Sequence, residues 1–172
     1  MSTDGSGSGS VARGSSGGRR FAICGVVFLV ASVIAAIMNV RAPFARGWWL
    51  VAYLSLVGGV AQLLLGPGLI ALANRHGWHG QSLRYSVAEL VLWNIGTLTV
   101  AIADLALAPG GVVAGSVLLV VALALFAREL NHVSTVPSPP ARAWRGLYVL
   151  LLVFLAVSTI VGTILAYRST AL

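Results

Sequence analysis

Glu89 and Asp104 are the residues of this sequence best placed to do chemistry, because both carboxylates sit inside a long apolar stretch. A carboxylate in such a setting is costly and usually faces the interior of a helical bundle. It marks a route for protons or ions, or it meets a partner cation. At about 100° per residue, Glu89, Trp93, Thr97 and Asp104 project within roughly 80° of one another on a helix. Asn94 lies at the margin of that sector, Thr99 points away, and Val100 projects into its middle and interrupts the stripe. The two acids are about 22 Å apart along a helix axis, so each sits near one end. Two readings follow. In one, the carboxyls carry a proton. In the other, Glu89 pairs with Arg84 or Arg75, and Asp104 pairs with Arg46 or Arg41.

A second polar residue at mid-depth is Gln62. Ser55, Gly58, Gln62 and Gly66 recur at helical spacing, with Gly59 beside them. Small residues let helix backbones approach closely, and a glutamine there can hydrogen-bond to a neighbouring helix. Gly111 and Gly115 repeat the pattern further on, as do Ser158, Gly162 and Ala166. The candidate polar path is therefore Glu89, Asn94, Thr97 and Asp104, joined by Gln62. The string Gly58-Gly59-Val60-Ala61-Gln62, followed by Gly66, resembles the Gly-Gly-x-Ala-Gln segment of the acetate uptake transporter family. The resemblance covers about ten residues. The family's Asn-Pro-Ala-Pro segment and its sixth span have no counterpart here. The resemblance implies a path for a small monocarboxylate, lined partly by Gln62.

Other chemistry finds little support. His76 and His79 form His-x-x-His, with His132 further along. Gly77 and Gly80 make a flexible loop the expectation there, rather than a metal-binding helix turn. No histidine falls inside an apolar stretch, so no haem ligand is expected. Cys24 is the single cysteine, which precludes an internal disulfide and suits a small apolar role. The sequence has no nucleophile elbow, phosphate loop or His-Glu-x-x-His motif. The expectation is a non-enzyme without cofactor or metal.

These residues must be positioned by membrane-crossing helices. Of the 172 residues, 58% are hydrophobic and 9% charged, and the mean hydropathy is +0.94. Soluble domains run nearer 45–50% apolar and about 25% charged. About 20 apolar residues cross a bilayer, and the expected spans are 21–40, 47–73 with a break at 66–68, 85–107, 112–130 and 144–167. Pro67 between two glycines predicts a kink or helix end at that break. Residues 1–20, rich in glycine and serine, predict a disordered tail, and residues 21–172 a single transmembrane domain. The first apolar run is longer than the about 7–15 residues of a signal-peptide core and lacks a cleavage site, so an uncleaved span is expected.

All 11 basic residues are arginines, and the net charge is +7. They sit at the ends of apolar runs, where they set topology and meet lipid headgroups rather than nucleic acid. Eight fall on the N-terminal side of the five spans (Arg13, Arg19, Arg20, Arg75, Arg84, Arg128, Arg142, Arg145) and three on the other (Arg41, Arg46, Arg168). That excess predicts a cytoplasmic N-terminus and an outside C-terminus in the cell membrane. The fold class is thus an all-α integral membrane protein of about five transmembrane helices. Its expected partners are the lipid bilayer and either other membrane subunits or further copies of itself. The expected role is an accessory, assembly or structural subunit; the alternative is a small transporter or channel.

Overall fold

The computed structural model describes residues 9–75, 87–132 and 139–168, with side chains placed over 18–68, 87–128, 146–161 and at 164. All of the regular structure there is helical: α1 (Gly9–Arg41), α2 (Gly47–Tyr53), a π-helical segment (Leu54–Val60), α3 (Ala61–Arg75), α4 (Val87–Leu105), α5 (Pro109–His132) and α6 (Pro139–Arg168). Four stretches among the described residues are long and apolar enough to cross a membrane: Gly18–Arg41, Gly47–Gly68, Val87–Leu105 and Pro109–Arg128. A shorter apolar stretch, Gly146–Val161, lies within α6.

Three local expectations are corrected. Helix α1 begins at Gly9, so residues 9–20 are helical where the composition predicted disorder. Once the apolar part of α1 is formed, each added residue gains a hydrogen bond without a new nucleation cost. The second correction concerns 66–68, where α3 runs on to Arg75 with Pro67 inside it and no helix end. So apolar a segment has few outside partners for its backbone groups, and continuing the helix satisfies most of them despite one missing donor.

The third correction moves the turn between α4 and α5. Pro109, Gly110 and Gly111 belong to α5, and the chain reverses at 106–108 instead. Proline suits a first helical turn, where its absent N–H has no partner in any case. The Ala108 N–H donates to the Ala103 carbonyl at 2.8 Å, and the Leu107 N–H to the Asp104 carbonyl at 3.2 Å. This is the Schellman pattern of a helix C-terminus. Leu107 holds its left-handed position, at φ 54°, where glycine is usual.

Glycines set how the helices pair. A side chain on Gly115 would come within 2.8 Å of the Val100 backbone nitrogen and 2.9 Å of the Gly96 carbonyl oxygen, so α4 and α5 touch backbone to backbone. On the other pair, Gly58 meets the Phe28 ring, Gly59 meets Leu29, and Gly66 meets Phe21. Helix α1 therefore packs along the α2–π–α3 rod as α5 packs along α4. The small-residue faces expected on the second and fourth spans are both in use. Ser158 is exposed, and Gly162 and Ala166 lie outside the described side chains. Phe21, Leu65, Trp93, Leu119, Phe126 and Tyr148 form the core where the two hairpins and α6 converge.

Candidate functional site

The seam between the two hairpins gathers the polar side chains. The α2–π–α3 rod runs antiparallel to α4, and the contacts follow in order along it. At one end the Arg46 guanidinium pairs with the Asp104 carboxylate. Its Nη1 also donates to the Asp104 main-chain carbonyl at 3.2 Å. A cation at a helix C-terminus meets the negative end of the helix dipole as well as the side-chain charge. Asp104 is 6% exposed, so the pair shelters an acid that would otherwise be isolated. Asn39 shapes the approach: its Oδ1 accepts from the Phe44 N–H at 3.2 Å and packs against Gly47, which directs the α1–α2 turn and places Arg46.

Next along the seam, Tyr53 and Thr97 face each other. Below them the π-helical segment shifts the backbone register. The Ala61 N–H donates to Leu56, five residues back, and so passes over the Val57 carbonyl. That carbonyl accepts from the Trp93 indole N–H at 3.2 Å. The inserted turn has a partner built for it, and the indole, 1% exposed, has its one donor satisfied. Deeper still, Gln62 Nε2 donates to Asn94 Oδ1 at 3.2 Å, while Asn94 Nδ2 donates to the Leu90 carbonyl at 2.7 Å. At the far end the Tyr148 hydroxyl donates to the Leu65 carbonyl at 3.0 Å, tying α6 to α3. Glu89 is buried within electrostatic reach of Tyr148.

The structure thus brings the predicted site residues together in pairs. Gln62 meets Asn94, and Asp104 meets Arg46, one of the two arginines expected for it. Glu89 stays at the opposite end; Arg84 lies outside the described residues and Arg75 outside the described side chains. Between Thr97 and Asp104 stands Val100, pressed against Gly115 of α5. Trp93 stands between Thr97 and Glu89. Among the described residues, four buried oxygens along the seam have no partner within full hydrogen-bond distance: Tyr53 Oη and Thr97 Oγ1, which face each other, Gln62 Oε1 and Asp104 Oδ2.

Tyr53, Tyr148 and Asn39 were not singled out from the sequence. A single tyrosine in an apolar run has no spacing that sets it apart, and only the partner across the seam shows its polar role. Among the described residues no three His, Cys, Asp or Glu side chains gather as a metal ion would need. His76 and His79 lie outside the described residues, and His132 is the last residue of α5. In chemical terms the described part of the seam offers neutral hydrogen-bond donors and acceptors along its length, with an ion pair closing one end and the buried Glu89 at the other. No family model matches the chain, and no match was found among curated proteins or solved structures.

Proposed function

We propose that this chain is a non-catalytic, multi-pass protein of the cell membrane that serves as an accessory, assembly or structural subunit of a larger membrane complex. In this reading α6 is the fifth span, the N-terminus is cytoplasmic and the C-terminus outside. The observation that supports it is the pairing along the seam. Arg46–Asp104, Trp93–Val57, Gln62–Asn94 and Tyr148–Leu65 each spend a polar group on joining one helix to another. Polar groups used in this way hold a bundle together. Purification in a mild detergent, with identification of co-purifying proteins, tests this directly. Membrane partners at fixed stoichiometry are expected. A stable homo-oligomer with no other component would go against the proposal.

A second reading rests on the four buried oxygens without a full hydrogen-bond partner among the described residues. Unsatisfied polar atoms in an apolar interior cost free energy. A seam lined by them suits a small transporter or channel for a proton or small monocarboxylate, using Gln62, Glu89, Asn94, Thr97 and Asp104. Trp93 and Val100 divide that line into separate polar levels, which favours the first reading.

A further inference from the structure

Two outward faces of the bundle carry a pattern that neither the seam nor the hairpin packing uses. On α1, Ile23, Val26, Val27 and Val30 are each at least half exposed. They stand four, seven, eight and eleven residues after Arg19, which is also exposed. At 3.6 residues per turn these five residues share one face. The result is an apolar column with a guanidinium at its end. Helix α5 repeats the arrangement in reverse: Val117, Val120, Val121 and Ala124 are exposed and stand eleven, eight, seven and four residues before exposed Arg128. Each column is about 16 Å long, close to the depth of one leaflet of a hydrocarbon layer about 30 Å thick.

The tertiary structure sets the two arginines at one height. Phe21, two residues after Arg19, packs edge-on against Phe126, two residues before Arg128, with ring centroids 5.4 Å apart. Two residues are about 200° around a helix, so both columns face away from that aromatic contact, on separate sides of the bundle. Arg20 is exposed beside Arg19. Among the described side chains this end exposes no acid, since Glu89 is buried and Asp104 is held by Arg46 at the other end.

We propose that Arg19, aided by Arg20, and Arg128 head two binding sites for anionic phospholipid on the outside of the bundle. The apolar column takes an acyl chain, and the guanidinium takes the phosphodiester oxygens. This rests on the membrane reading above. A zwitterionic lipid offers the same phosphate but brings its own cation toward the arginines, so the anionic headgroup is the better match. On the cytoplasmic side assigned by the arginine count, this is also where anionic lipid is concentrated.

The test uses the full chain reconstituted in phosphatidylcholine vesicles, with spin-labelled phosphatidylglycerol or phosphatidylcholine as probe. Electron paramagnetic resonance then gives the motionally restricted fraction of each lipid. Wild type is expected to prefer phosphatidylglycerol by about fivefold per engaged arginine at low salt, with the preference shrinking in high salt. The triple variant Arg19→Gln/Arg20→Gln/Arg128→Gln should lower the ratio severalfold. If circular dichroism shows the triple variant misfolded, Arg128→Gln alone must still lower the preference. Equal binding of both lipids by wild type, or a folded triple variant that keeps its selectivity, overturns the inference while leaving the membrane reading intact. Failure of wild type to float with any vesicles would overturn both.

Discussion

Arg46 and Asp104 show how unequal the two halves of an ion pair are. The Asp104 side chain is 7% exposed and that of Arg46 28%. Removing the arginine strands a buried carboxylate, whereas removing the carboxylate leaves an arginine that can extend into water. Arg46→Gln is therefore expected to cost about 3 kcal/mol, and Asp104→Asn about 1 kcal/mol or less. Thermal unfolding in detergent gives the order of the two, and the reverse order would show that the pair is not the local anchor. Leu107 supplies a second test at this scale. A left-handed leucine costs roughly 1 kcal/mol, and its side chain is 63% exposed. Leu107→Gly should therefore raise stability slightly, read as a higher midpoint in the same unfolding assay. Leu107→Val should lower it. A loss with glycine would mean that the side chain is needed where it stands.

At the scale of elements, glycines decide which helices come close, and not all of them matter. A Cβ on Gly115 would press on backbone atoms of α4, which have no rotamer to yield, while one on Gly110 would meet nothing within 4 Å. Gly115→Ala is expected to destabilise by about 1–3 kcal/mol. Gly110→Ala should be neutral or gain up to about 1 kcal/mol from helix propensity. Chemical denaturation of the two variants side by side checks this, and equal effects would refute backbone contact between α4 and α5. The sequence already pointed to Gly111 and Gly115 as a packing face by their spacing. It did not reveal that Gly96 is the other half of that contact, because a single glycine has no spacing to read.

For the whole molecule, arginine placement makes a prediction independent of any side-chain contact. Cytoplasm-dependent fluorescent fusions should be bright at Met1 and dark at Leu172. A bright C-terminal fusion would remove one span, with α6 the first candidate, since only Gly146–Val161 of it counts as a short apolar stretch. The functional alternative is decided by flux. Proteoliposomes loaded with a pH-sensitive dye should show no proton entry above empty vesicles, with Glu89→Gln and Asp104→Asn folding normally. Wild-type flux lost in either variant would replace the subunit reading by the channel. Both substitutions keep size and hydrogen-bonding capacity while deleting charge, so a change in flux would report the carboxylates themselves.

Composition and periodicity alone determined that this chain is helical, how long its apolar stretches are, and which face of α4 holds its polar residues. Those properties are set by one residue and its near neighbours, at intervals of 3.6 residues along a helix. The same local signals misjudged residues 9–20, the helix end at Pro67 and the connection left at 108–111 between the third and fourth spans. There, propensity for disorder or a break was outweighed by the gain from continuing a helix already formed. Only the tertiary structure decided what the polar face meets. Gln62 and Asn94 are 32 residues apart in sequence, and Arg46 and Asp104 are 58 apart. No spacing rule connects such positions. Their pairing depends on the antiparallel register between two hairpins, which the π-helical segment and Trp93 adjust by a single residue.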